Sequence, residues 1–354
     1  MRIGIDGIIY SLQIGGGISV YFSELIRHLL KQPDFSVRVD LFEPIKGQGI
    51  DDIVSLATDT SSQCRPLERY RPCRIASSIP DVFHSSYYRR PSQKTTPTVV
   101  TVYDFIYERF SSGPRRWVHL AQKHSAIRAA EAIICISEAT RADLEQWVGV
   151  RPGQQVHVIP CGVGEVFRPL AELLKSARPY VLFVGTRGGY KNFTLALKAL
   201  ALLPELELHC VGGGALRAEE LAEVPHPVRT RVRHLGHIDD ETLNECYNGA
   251  ICLLYPSSHE GFGIPVIEAM RAGCPVVSIP CKAILEVGGD ALVVAAADAG
   301  AIAEAVDSVC SLSRRAKVVA NGLSVARSYS WHTTHERTLQ VYRSLWASGS
   351  QASA

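Results

Sequence analysis

The sequence predicts an α/β protein made of two facing, doubly wound, Rossmann-like parallel-sheet domains. Three observations carry this. Short apolar runs alternate with amphipathic helical stretches from Arg2 to Ile159, and the same alternation restarts at Tyr180. The chain has 354 residues, too many for one ordinary core. Between the halves, Pro160-Cys-Gly-Val-Gly and Phe167-Arg-Pro break the pattern, so residues 160–175 read as a connection. The expected division is a first domain over 1–165, a second over 175–327 and a terminal segment over 328–354.

The first half opens with a buried strand, Arg2–Ile9, then Gly15-Gly16-Gly17 and a helix from Ser19 to about Lys31 with Phe22, Leu25, Ile26 and Leu29 on its apolar face. Strand, glycine loop and helix resemble a phosphate cradle. It is not the dinucleotide fingerprint, because Val20 stands where the third glycine belongs. A tight turn and a ligand contact both remain open for Gly16 and Gly17. Val37–Phe42 reads as a second strand and residues 43–80 as an irregular region with room for one short helix. Val82–His84 and Thr98–Tyr103 read as short strands. Ligands of open parallel sheets bind beyond the carboxyl ends of strands, which makes His84, Tyr103 and Asp104 candidates. A helix follows from about Arg115 to Glu131, then strand Ala132–Ile136, helix Glu138–Trp147 capped by Ser137, and strand Val156–Ile159.

In the second half Tyr180–Val184 is a strand leading into the polar loop Gly185-Thr-Arg-Gly-Gly-Tyr-Lys-Asn, then helix Phe193–Leu203 and strand Leu206–Val211 ending in three glycines. Val232–Leu235 is a strand, with helix Glu241–Asn248 started by Asp239 or Asp240. After strands Ala250–Tyr255 and Cys274–Ile279 the period is helical near Ala283, over 299–326 and over Trp331–Leu345.

Net charge is +2, and no apolar run approaches the length of a membrane span. The first thirty residues carry Asp6 and Glu24 and do not read as a signal peptide. Ten cysteines include no Cys-x-x-Cys, and several occupy apolar stretches, which points to reduced thiols and the cytoplasm rather than disulfides or structural zinc. No His-x-His, His-Glu-x-x-His or Asp-x-Asp pair offers a metal site, so none is expected. Residues 65–128 hold 12 Lys and Arg against 4 Asp and Glu, a local charge of +8. That asymmetry suits an anionic membrane surface or a phosphate-bearing acceptor, or is a solvated basic face. No nucleic-acid-binding pattern accompanies it.

The chemistry concentrates in residues 255–277. An apolar strand runs into the turn Glu260-Gly261-Phe262-Gly263-Ile264, which opens a short helix with Pro265 at its start and Glu268 about one turn in. Amides bared at a helix N-terminus bind anions, and glycines let a ligand approach the backbone. Two acids beside an anion site suit a ligand with both phosphates and hydroxyls, which we read as a nucleotide sugar. Arg187 and Lys191 lie where they could surround its diphosphate and neutralise the charge of a departing nucleoside diphosphate.

Taken together, Pro256-Ser-Ser-His-Glu-Gly-Phe-Gly-Ile-Pro-Val-Ile-Glu-Ala-Met, Gly185-Thr-Arg-Gly-Gly-Tyr-Lys-Asn-Phe, Val158-Ile-Pro-Cys-Gly-Val, Leu235-Gly-His-Ile, Ser137-Glu-Ala-Thr and Gly15-Gly-Gly-Ile-Ser-Val-Tyr resemble the retaining glycosyltransferases of family 4, which have the GT-B architecture. These segments span nearly the whole chain in order; the first matches the family's Glu-x7-Glu signature. The resemblance implies that Glu260 holds hydroxyls of the donor sugar and Glu268 the ribose. Lys191 and a nearby arginine, with Thr186 in the same loop, would hold the diphosphate. Gly261, Phe262, Gly263 and Ile264 would line it, the backbone at His237-Ile238 would meet the base, and Gly16 and Gly17 would close over the donor. The last helix would cross back onto the first domain. Catalysis would be metal-independent and retaining, with no cofactor. Tyr103-Asp104 stands where many relatives carry His-Asp, and Thr186 where many carry arginine, with Arg187 one place later. The resemblance to bacterial surface-polysaccharide mannosyltransferases implies GDP-mannose as donor and a lipid-linked glycan as acceptor. A GT-B epimerase or phosphorylase, or a silent nucleotide-binding scaffold, are the alternatives.

Overall fold

The computed structural model describes residues 1–13, 15–46, 50–56, 61–74, 79–93, 95–172 and 178–352. Lys94 of the basic stretch and positions 173–175 of the expected connection lie outside them. The chain forms two compact units, Met1–Gly162 with Trp331–Ala354, and Val163–Ser330.

Among the described residues the first unit holds seven strands: β1 (Arg2–Asp6), β2 (Ser36–Glu43), β3 (Ser61–Gln63), β4 (Val82–Ser85), β5 (Thr98–Val102), β6 (Ala132–Cys135) and β7 (Gln155–Val158). They run parallel in the order β3-β2-β1-β4-β5-β6-β7. β5 and β6 are buried along their whole length, as strands covered by helices on both faces are. The helix Gly17–Leu30 buries Phe22, Leu25, Ile26 and Leu29. The terminal helix Trp331–Ala352 belongs to this unit: Thr334 donates to the Pro160 carbonyl at 2.8 Å and Arg337 to the Val158 carbonyl at 2.7 Å.

The second unit holds β8 (Tyr180–Val184), β9 (Glu207–Val211), β10 (Val232–Gly236), β11 (Leu253–Tyr255), β12 (Val276–Ser278) and β13 (Leu292–Val294), parallel in the order β10-β9-β8-β11-β12-β13. This is the doubly wound order, with its reversal between β8 and β11. Phe183, Phe193, Leu197, Leu208, Leu254 and Ile302 lie in one apolar core.

Several boundaries differ from expectation for local reasons. β1 stops at Asp6, where the Asp6 carboxylate accepts from the Ile8 amide at 3.2 Å and the chain turns into a short helix, Ile9–Leu12. A Cβ at Gly7 would lie 2.7 Å from the Asp40 carbonyl, so only glycine allows that turn so close to β2. The irregular region contains the helix Asp51–Leu56 and β3. The period over 299–326 splits into helices Ala299–Ser308 and Leu312–Ala326. The expected connection is shorter than 160–175: residues from Val163 belong to the second unit, where Phe167 packs edge-on against Tyr247 and the Arg168 amide donates to Asn244 at 3.0 Å.

Candidate active site

The reversal of strand order in the second unit brings the loops after β8 and β11 side by side, and these carry most of the expected residues. The loops are tied together: Asn192 donates to the Pro256 carbonyl at 2.8 Å, and the Ser258 amide donates to the Tyr190 carbonyl at 2.8 Å. Asn192 takes a left-handed conformation, φ 51°, to end the short turn Gly189–Lys191 and start the helix Phe193–Ala201. Lys191 is thereby turned inward. Its ammonium donates to Glu260 Oε1 at 2.5 Å and to the Tyr255 hydroxyl at 2.9 Å, and lies 4.7 Å from the Tyr255 ring centre. Gly188 and Gly189 beside it are exposed, with open space where side chains would be.

Beyond Glu260, Gly261, Phe262 and Gly263 are buried, and Phe262 packs edge-on against Tyr329. Gly263 has φ 100°, and a Cβ there would lie 2.3 Å from Ile284 Cδ1. This turn therefore requires glycine, and it starts the helix Ile264–Arg271, where Pro265 has no N–H and the Val266 amide donates to the Gly263 carbonyl at 2.9 Å. Ile264 is half-buried at the helix start. Glu268 is half-buried one turn in and accepts from the Tyr247 hydroxyl at 2.9 Å. Burial pushes its carboxyl up to about 7, with the nearby Asp240 adding to the shift. Burial with one hydrogen bond leaves this carboxylate short of donors, and two vicinal hydroxyls would supply them. His237, exposed, and Ile238, half-buried, directly follow β10. Thr186 is exposed.

Three expectations need correction. Arg187 does not offer its guanidinium to a ligand. It donates to the carbonyls of Gly212 (2.9 Å), Gly213 (3.2 Å), Gly214 (2.8 Å) and Ala215 (2.9 Å) and to Glu220 (3.1 Å), and is only 8% exposed. Gly212, Gly213 and Gly214 all have φ near 75–78°, which turns their carbonyls onto one cation. Arg187 thus organises the loop after β9. His84 is not at a cleft: it is fully buried, with Nδ1 2.6 Å from the Tyr342 hydroxyl and Nε2 2.9 Å from Thr101 Oγ1. Burial holds its imidazole down at about 3, so it is neutral. Tyr103 is buried too, edge-on to Tyr21, and burial raises its phenol. Asp104 is half-buried at the end of β5; its carboxylate accepts from the Ile106 amide at 3.0 Å and its carbonyl from Lys123 Nζ at 2.5 Å. Gly16, half-buried, and Gly17, exposed, start the helix Gly17–Leu30.

Sequence reasoning missed the tyrosines that hold this site. Tyr255 ends β11 and was legible as a strand-end residue. Tyr247 comes from the helix Asp240–Gly249 and carried no local signal.

Comparisons with known proteins cover both halves of the chain. Residues 15–165 match the family model "Glycosyltransferase Family 4" and residues 178–311 the model "Glycosyl transferases group 1". The O-antigen chain mannosyltransferase B of Escherichia coli is 29% identical over 79% of this chain and 80% of its own length. The chain is a family 4 glycosyltransferase. Other relatives of this glycosyltransferase are longer. The serotype-specific mannosyltransferase WbdA of Escherichia coli is 24% identical over 65% of this chain, and the match spans only 32% of WbdA. Among solved structures, sucrose-phosphate synthase from Thermosynechococcus elongatus aligns over 98% of this chain and 100% of its own with a TM-score of 0.74 at 20% identity. Anabaena HepE in complex with UDP-glucose aligns over 97% and 100% with a TM-score of 0.71 at 15% identity. At those identities the likeness establishes the fold alone.

Proposed function

We propose that this glycosyltransferase moves a hexosyl group, mannose from GDP-mannose, to a lipid-linked oligosaccharide or similar glycan acceptor in surface-polysaccharide synthesis, with retention and without a metal. The observation that carries the donor site is the Lys191–Glu260 pair at 2.5 Å, set beside the N-terminus of the helix that bears Glu268. In this reading the helix amides and Lys191 hold the diphosphate. Glu268 accepts the ribose hydroxyls, Glu260 those of the transferred sugar, and the backbone at His237-Ile238 meets the base.

The acceptor hydroxyl oxygen bonds to the anomeric carbon as the bond from that carbon to the β-phosphate oxygen breaks. The acceptor's proton passes to the departing phosphate on the same face, which retains the anomeric configuration and releases a nucleoside diphosphate. Lys191 neutralises the charge that builds on that phosphate, a role in which preorganised charge contributes most to rate. Mannose is favoured by the names of the two mannosyltransferase relatives.

A thermal-shift panel of GDP, UDP, dTDP and ADP tests the donor site. A ligand at 100 times its Kd adds about 2.7 kcal/mol, and GDP should give the largest shift. No response to any of the four would refute the site; a larger UDP shift would refute GDP-mannose. Transfer surviving EDTA, with an anomerically retained product by NMR, tests the rest.

A further inference from the structure

The outward face of the helix Pro114–Ala129 is unlike an ordinary solvated helix surface. Its sixteen residues include no Asp or Glu. Arg115, Trp117, Val118, Ala121, Ser125 and Arg128 are exposed along it at helical spacing. Trp117 is 66% and Val118 50% exposed, and Phe110, on the preceding short helix Ile106–Phe110, is 50% exposed. Beside them a groove of about 680 Å³ has Trp117, Leu120 and Ala121 as apolar wall, with Arg90, His124 and Arg128 at its edge. Among the described residues no acidic side chain pairs with Arg90, Arg115 or Arg128. The nearest acid on the neighbouring helix, Glu108, is buried and already bound to Lys123 at 3.0 Å and His124 at 3.1 Å.

A solvated face mixes both signs of charge and carries few large apolar groups. A tryptophan and a valine flanked only by arginines fit the boundary between anionic headgroups and acyl chains, where indole rings partition and arginines meet phosphates. The inner face of the same helix reaches the carboxyl end of the sheet: Lys123 Nζ donates to the Asp104 carbonyl at 2.5 Å beyond the end of β5. The helix therefore links its outer face to that strand end across one helix diameter, about 10 Å.

We propose that the outward face of Pro114–Ala129, with Arg90, is a docking surface for an anionic lipid bilayer. The surface serves the lipid-linked acceptor read above but does not depend on the donor, and it is tested without nucleotide. The assay is co-sedimentation of the full chain with vesicles of neutral phosphatidylcholine and of phosphatidylcholine mixed with phosphatidylglycerol. The expected result is binding to the mixed vesicles only, weakened as salt shortens the Debye length from about 10 Å at 0.1 M to about 3 Å at 1 M. With about 1 kcal/mol per arginine near the surface, Arg115→Gln with Arg128→Gln should lower the partition coefficient roughly thirty-fold. Trp117→Ala, a surface change, should lower it further with unchanged thermal stability. Equal binding to neutral vesicles, or wild-type partitioning in both variants, would overturn the proposal. So would complete release by millimolar inorganic phosphate, which would reveal a small-anion site instead.

Discussion

Replacing Glu268 by glutamine separates what this residue does for the ligand from what it does to the fold. The glutamine carbonyl still accepts from the Tyr247 hydroxyl, now 2.9 Å from Glu268 Oε2, so packing is kept and only the charge is lost. In the folded protein the carboxyl is raised from the ordinary 4.5 to about 7. At about 1.36 kcal/mol per pH unit, ionising it in place costs about 3 kcal/mol relative to the unfolded chain. The sign is that of a carboxyl raised on folding. Below about pH 4.5 both states are protonated and there is no penalty. Between 4.5 and 7 the native state holds the extra proton, so stability falls as pH rises, and above 7 the penalty is complete. Glu268→Gln should therefore melt at the same temperature as wild type near pH 4.5 and higher at pH 8. Nucleotide binding should do the opposite: wild-type affinity should rise through pH 7 as the carboxylate forms, while the variant stays weak throughout. Parallel melting curves for the two proteins across pH, or a variant that binds nucleotide as well as wild type at pH 8, would refute this account of Glu268.

Lys191→Ala should cut kcat by about 10²–10³ with nucleotide affinity less affected, read from initial rates and a binding isotherm. Arg187→Met strips the carbonyls of Gly212–Ala215 and the Glu220 carboxylate of their shared donor, so it should lower stability by about 3–5 kcal/mol. Lysine should not rescue it, because one ammonium cannot span that fork; denaturant curves of both variants decide. Gly263→Ala should destabilise through its φ of 100° and the contact with Ile284, and Ile284→Ala in the same chain should restore only the part due to the contact. His84→Ala should cost about 1–3 kcal/mol for each hydroxyl it leaves unpaired, on Tyr342 and Thr101, while leaving the GDP-induced thermal shift unchanged.

What was legible in the sequence follows how local each cause is. The turn from Glu260 to Glu268 is a contiguous strand, glycine turn and helix, so its residues announce their geometry directly. The cap of the helix Glu138–Trp147 was equally plain, because Ser137 accepts from the Thr140 amide three residues on. Arg187 and Lys191 are two cations in one glycine-rich loop, and the sequence placed both at the diphosphate, with Lys191 the firmer assignment. What separates them is a glycine run well downstream in the chain whose carbonyls claim Arg187. His84 ends a strand as a catalytic histidine would, yet its role is set by Tyr342, 258 positions away. The strand β3, Ser61–Gln63, has no apolar residue to mark it. The raised carboxyl of Glu268 comes first from burial, to which Asp240 on another helix adds while the Tyr247 hydroxyl opposes it, and no spacing rule connects these residues.

The order in which the chain is threaded has a consequence for its birth on the ribosome. The first unit is written in two pieces, Met1–Gly162 and Trp331–Ala354, with all of the second unit between them. Val163 and Ser330, the first and last residues of the second unit, bridge to each other, so that unit closes on itself as soon as Ser330 emerges. The first unit, although most of it is synthesised earlier, must wait until the final helix arrives for the partners of His84 Nδ1 and of the Val158 and Pro160 carbonyls. Domains usually fold in the order of synthesis; here the later one is complete first, and a chain truncated after Ser330 would keep the Lys191–Glu260–Glu268 half whole while leaving the amino-terminal half without its last helix.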